Sequence, residues 1–119
     1  MIAIRGATTI EFDTVEEIKK NTIELFSEII TKNNISLKDI KTIIFSCTKD
    51  ITKDYPGKYV REYFQLNNTA IMHFNEMYVE NSLEKCIRIL ILLDNCVNSD
   101  IEYVYLKKAR SLRKDLFND

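Results

Sequence analysis

The chain has 119 residues and a mass of 14.0 kDa, with 17 Lys and Arg against 18 Asp and Glu and a pI near 5.9. That is one domain, 1–119, long enough to bury a core without disulfides or a structural metal, and its charge balance excludes a strongly basic nucleic-acid binder. No apolar run approaches the ~20 residues of a membrane span, Met1 to Arg5 does not open a signal peptide, and Cys47, Cys86 and Cys96 form no CxxC, so a reducing cytoplasmic location is expected, with no membrane or nucleic-acid partner.

Met1 to Ile10 favours a strand, with Gly6 where the backbone must turn or approach closely. Thr14 and Glu17 form a capping box, and Ile18, Leu25, Phe26, Ile29 and Ile30 follow at helical spacing until Asn33-Asn34. Ile40 to Cys47, around Ile43-Ile44-Phe45, predicts a buried strand. A polar loop from Thr48 to Gly57 leads into a short helix over Lys58 to Phe64, and Thr69 to Phe74 reads as a third strand. Asn81 or Ser82 then caps a third helix, with Leu83, Cys86, Ile87, Leu90 and Ile91 on one face. A turn-rich loop from Asp94 to Asp100, a strand from Ile101 to Leu106 and a charged tail from Lys107 to Asp119 complete the chain. The order β-α-β-α-β-α-β implies an α/β domain with helices on one face of a mixed sheet. The other face then needs a cover, and self-association is the expected one.

The usual catalytic signatures are missing. There is no P-loop, GxGxxG or HExxH, and the single histidine, His73, has no partner at metal-ligand spacing, so no metal site is expected. Nothing local supports a Ser-His-Asp or Cys-His arrangement. More informative are Arg5 and Arg88, each inside an apolar segment. Burying an arginine is costly unless it is paired. One reading is a structural ion pair, with Glu76 or Glu80 as partner. The other is a pocket for an anionic ligand, because a guanidinium fork matches a carboxylate bidentately.

Five segments carry a more specific pattern: Ile4-Arg5-Gly6-Ala7-Thr8-Thr9, Tyr55-Pro56-Gly57-Lys58-Tyr59-Val60-Arg61-Glu62, Glu76-Met77, Leu83-Glu84-Lys85-Cys86-Ile87-Arg88 and Val104-Tyr105-Leu106. In this order, across essentially the whole chain, they resemble the monofunctional bacterial chorismate mutases of the trimeric α/β class. The resemblance implies a pseudo-barrel homotrimer with three sites at subunit clefts. It implies a cytoplasmic isomerase that rearranges chorismate to prephenate, on the route to aromatic amino acids, without cofactor or metal.

Residue by residue, the resemblance makes Arg88 the donor to the breaking ether oxygen. Arg5 and Tyr105 match the ligands of the enolpyruvyl carboxylate. Glu76 matches the glutamate near the ring hydroxyl and the developing positive charge. Arg61 matches an arginine at the cleft mouth, with Tyr55 and Lys58 lining it from a neighbouring subunit, and Leu112 and Arg113 resemble a C-terminal cover. His73 stands where relatives often carry a cysteine beside the substrate hydroxyl: either its imidazole faces that hydroxyl and, protonated, pairs with Glu76, or only its backbone lines the pocket and its ring points to solvent. Tyr78, Asn81-Ser82 and Lys114 are further departures, at positions where an aspartate, a Gly-Gly pair and a proline are common. Two rival readings remain: a weak or inactive trimeric carboxylate-binding protein of the same fold, which His73 and Asn81-Ser82 favour, and a purely structural domain whose arginines are salt-bridged internally.

Overall fold

The computed structural model of the chain describes residues 1–95 and 100–116. Five strands, β1 (Ile2–Thr9), β2 (Ile40–Cys47), β3 (Ala70–Asn75), β4 (Cys86–Leu93) and β5 (Val104–Tyr105), form one sheet in the order β3-β2-β4-β1-β5. The inner pairs β2–β4 and β4–β1 are antiparallel, and the outer pairs β3–β2 and β1–β5 are parallel. Helices α1 (Val15–Asn33) and α2 (Pro56–Phe64) pack on one face of this mixed α/β sheet. Among the described residues no helix is long and apolar enough to cross a membrane.

The local reasons are visible in the side chains. Thr14 caps α1, its hydroxyl accepting from the Glu17 N–H at 3.1 Å, while the Glu17 carboxylate reaches back to the N–H of Glu11 at 2.9 Å. Asn34 ends the helix in the left-handed region, φ 51°, and its N–H bonds the carbonyls of Ile30 and Thr31. Ile18, Leu25, Phe26 and Ile29 bury one face of α1 against Ile4, Ile43, Phe45, Ile87 and Ile91 of the sheet. Gly6 is needed because a Cβ there would meet the carbonyl oxygen of Val104 at 2.8 Å and Ile29 at 3.0 Å.

The third helix expected from Asn81 or Ser82 does not form: Cys86–Leu93 is the central strand β4. Seven of its eight residues are apolar, so helical spacing is matched by chance. Alternation is the true pattern: Ile87, Ile89, Ile91 and Leu93 are buried against the helices, and Cys86, Arg88, Leu90 and Leu92 turn the other way. The order is therefore β-α-β-α-β-β-β. The last strand is also shorter than expected, two residues instead of the span from Ile101 to Leu106. The charged tail is anchored rather than free: Lys107–Leu116 forms a 3₁₀ segment, broken at Arg113, whose Ala109 is buried against Ala7, Cys86 and Tyr105. Part of the loop expected from Asp94 to Asp100, with Cys96, and the end of the tail lie outside the described residues.

Candidate active site

Strand register places two neighbouring rows of residues across the sheet, one on each face. The row Val104, Gly6, Ile89, Phe45, His73 lies on the helix-covered face, where Ile89 and Phe45 are core residues. One residue along each strand, the row Tyr105, Ala7, Arg88, Ser46, Phe74 lies on the open face. Arg5, Leu90, Ile44 and Met72 form the next open-face row. The pairings thus bring Arg5, Arg88 and Tyr105 to one surface.

Glu76 follows β3, and its N–H donates to the Cys47 carbonyl at 2.8 Å, so the carboxylate is held beside Ser46 and Arg88. The Ser46 hydroxyl donates to Oε1 at 2.6 Å, and Arg88 Nε lies 3.4 Å from the same oxygen. The ion pair foreseen for Arg88 exists, but it is open. Nε is a buried atom within ion-pair distance that forms no hydrogen bond among the described residues, while the Arg88 side chain as a whole stays 36% exposed. Arg5 is exposed and has no ion pair among the described residues. The expected burial of Arg5 is therefore not found, and its charge is solvated; only Arg88 is partly buried, and a purely structural use would neutralise it more fully.

At the other end of the row, Tyr105 is buried by the C-terminal segment. The Arg113 guanidinium sits over the Tyr105 ring at 5.9 Å and over that of Tyr103 at 5.7 Å, and it donates to Asp115 at 2.8 and 3.0 Å. The thiols nearby are held in the protonated form: burial pushes Cys47 up to about 12 and Cys86 up to about 11, the latter against the pull of Arg88. Among the described residues, no three His, Cys, Asp or Glu side chains come together as a metal site.

Tyr55, Lys58, Arg61 and His73 are not brought to this surface within the chain. They gather at the β3 edge, around the start of α2. Tyr55 is 65% exposed, and Lys58 pairs with Asp54 at 3.4 Å. The His73 ring belongs to the covered row. It stacks on Phe45 with centroids 5.2 Å apart, and Nε2 accepts from the Gly57 N–H at 2.9 Å. The imidazole is therefore held against Gly57 and Phe45 rather than turned to Glu76 or out to solvent, and β3 runs on to Asn75, one residue past the expected end at Phe74. Burial, and next the nearby Arg61, hold the His73 pKa below its usual value. A cavity of about 300 Å³ lies beside Glu76, lined by Thr48, Asp50, Tyr78, Ser82 and Glu84, but not by Arg5, Arg88 or Tyr105.

Residues 1–116 match the family of chorismate mutase type I. The chain belongs to that family. The chorismate mutase AroH of Bacillus subtilis (strain 168) is 40% identical over 114 residues, which span 95% of this chain and 90% of the relative. AroH of Thermus thermophilus is 35% identical over 115 residues, 95% of this chain and 93% of the relative. A solved chorismate mutase from Clostridium thermocellum matches with a TM-score of 0.88 at 38% identity, covering 93% of this chain and 99% of that one.

Two features of this chorismate mutase escape sequence reasoning. Ser46, the donor to Glu76, is a polar residue at an open-face position of an apolar strand, and that position was its only signal. Asp50 accepts from the Lys85 N–H at 3.1 and 3.0 Å and from the Thr48 hydroxyl at 2.6 Å, fixing the loop that delivers β4 and Arg88. In that loop Asn81 and Lys85 take positive φ, 63° and 45°. Asparagine accepts the left-handed region with little strain, so losing a glycine at 81 leaves the turn intact.

Proposed function

We propose that the chain catalyses the cofactor-free rearrangement of chorismate to prephenate, as a cytoplasmic, single-domain enzyme, at sites built on the open face of its sheet. Family membership makes it a chorismate mutase, an isomerase. The observation that carries the residue assignment is the open-face row, which aligns Tyr105, Arg88 and Ser46-bound Glu76 with Arg5 one row away.

Chorismate is a dianion with a flexible enolpyruvyl arm. Arg5 and Tyr105 hold the carboxylate of that arm, folding it over the ring, and such positioning is worth several kcal/mol. As the ether bond breaks, negative charge grows on its oxygen, and the exposed part of the Arg88 guanidinium donates to it. A preplaced cation of this kind stabilises the transition state more than the ground state. Glu76 faces the positive charge that develops on the ring, and the Ser46 hydroxyl fixes which way its carboxylate points. Arg113 and Leu112 cover the Tyr105 end.

The active form is a homotrimer. Met72 and Phe74 are 56% and 50% exposed on the uncovered sheet face, beside half-buried Ile44, Leu90 and Leu92, an apolar surface that a second copy would cover. In this assembly the exposed Tyr55, Lys58 and Arg61 line the cleft of a neighbouring subunit. The direct test follows the loss of chorismate absorbance with purified protein. Turnover without added metal or cofactor is expected, and no loss above the uncatalysed rate would overturn the reading.

A further inference from the structure

Helix α2 begins without the usual means of satisfying its first N–H groups. Its N-cap is Tyr55, which makes no side-chain cap hydrogen bond. Pro56 has no N–H to satisfy. Lys58 turns its N–H back to the Tyr55 carbonyl at 3.2 Å. The Gly57 N–H is left pointing into the protein, and His73 Nε2 receives it at 2.9 Å from β3. The flat stack on Phe45, at 12°, and the tilted ring of Tyr55, 5.1 Å away, hold the imidazole in place. The fit is close: a Cβ on Gly57 would lie 2.8 Å from His73 Nε2 and Cε1 and 2.7 Å from Ile71. Glycine at 57 and histidine at 73 are thus matched to each other.

We propose that His73 is a positioning residue that caps α2 from the neighbouring strand and so fixes the Tyr55–Arg61 segment at the mouth of a cleft. This rests on the reading that α2 lines a neighbouring subunit's site. To accept from Gly57, Nε2 must be bare, so the proton of the neutral ring sits on Nδ1. Protonation removes the acceptor and sets a cation against the positive end of the helix. The charged and titratable groups around the ring are Arg61 on α2 and Tyr55 ahead of it, with Cys47, Lys53 and Asp54 around the adjoining cavity. Asp54 is engaged by Tyr59, Lys58 and the Tyr55 N–H, and Cys47 stays a thiol. None of these supplies His73 with a free carboxylate, and burial and Arg61 both favour its neutral form.

The test compares wild type with His73→Gln, whose side-chain oxygen can replace Nε2, and His73→Phe, which keeps a ring on Phe45 but accepts nothing. The Phe variant should raise KM about fivefold or more with kcat little changed, and the Gln variant should stay within about twofold of wild type. Wild-type KM should climb as pH falls through the folded pKa of His73, which lies below the ordinary ~6.5, and the Gln variant should lack that climb. By NMR, the Gly57 amide should lose exchange protection in the Phe variant and keep it in the Gln variant. Unchanged KM in the Phe variant, or equal Gly57 protection in all three proteins, would overturn the proposal. If the Phe variant does not fold, the Gln variant decides, because a KM climb parallel to wild type would sink the idea. A wild type that does not turn over chorismate would overturn the proposed function instead, while the Gly57 amide would still report whether His73 is the cap.

Discussion

Two adjacent rows of the same sheet, one residue apart on every strand, do opposite work. The row through Ile89 and Phe45 is sealed under α1 and α2, and its one imidazole is spent on a backbone N–H. The row through Arg88 and Ser46 is covered by the C-terminal segment only at its Ala7–Tyr105 end, and elsewhere it leaves the Arg88 guanidinium partly exposed and its apolar neighbours half-covered. Alternation along a strand is enough to separate stability from chemistry. Residues that hold the fold and residues proposed to hold the ligand can then be changed almost independently.

Breaking the covered row should cost the most. Phe45→Ala removes a fully buried ring and should lower stability by about 3–5 kcal/mol, a large part of the ~5–15 kcal/mol of a small domain. Urea denaturation checks this, and kcat per folded molecule should stay near wild type, with any loss confined to a higher KM through the His73 ring that loses its stack. Breaking the open row should do the reverse. Arg88→Ala should lower kcat/KM by about 10²–10³-fold, with a thermal melt close to wild type. Arg88→Lys should recover little, because a point charge lacks the fork geometry. Unchanged turnover in Arg88→Ala would remove this residue from the mechanism.

Smaller and more conditional is the effect of charging the apolar part of the open face. Phe74→Glu should shift the mass seen in analytical ultracentrifugation from about three times 14.0 kDa toward a single chain, with activity falling in step. A fully trimeric Phe74→Glu would move the interface elsewhere. The smallest effect is the pH dependence of the covered row. The folded-state pKa of His73 lies below its unfolded value of about 6.5. The unfolded chain therefore takes up the proton first, and the contribution of His73 to stability is complete above that pH and lost as pH falls through the folded pKa. Stability curves of wild type and His73→Gln should diverge below pH 6.5 and run parallel above it.

How much of this was legible in the sequence depends on what each residue needed as a neighbour. Helix α1 was, because Thr14, Glu17 and the spaced Ile18, Leu25, Phe26 and Ile29 carry a local pattern, and β2 was as well. Strand β4 was not, since a run with Arg88 as its sole interruption satisfies any period, and only pairing with β1 and β2 decides it. The charged residues of the proposed site come from motif segments. What the motifs could not give was their partition between faces: whether residue 73 looks toward Glu76 or toward Gly57 is set by the parity of β3 against β2, a property of the assembled sheet. The Ser46–Glu76 bond is hidden for the same reason, being a contact across 30 positions of sequence.

The strand order also dictates when the molecule can take shape. Strand β1 is made first, yet both its neighbours, β4 and β5, come from the far end of the chain, so that Ile4 pairs with Ile91 and Ala7 with Tyr105. During synthesis β1 must wait without its sheet partners, and α1 without the middle of its sheet, until β4 has emerged. Such long-range pairing folds slowly and leaves sticky surface uncovered meanwhile. The strand that carries Arg88 is thus also the one that closes the sheet, and the charged site and the stable fold come into being in the same step.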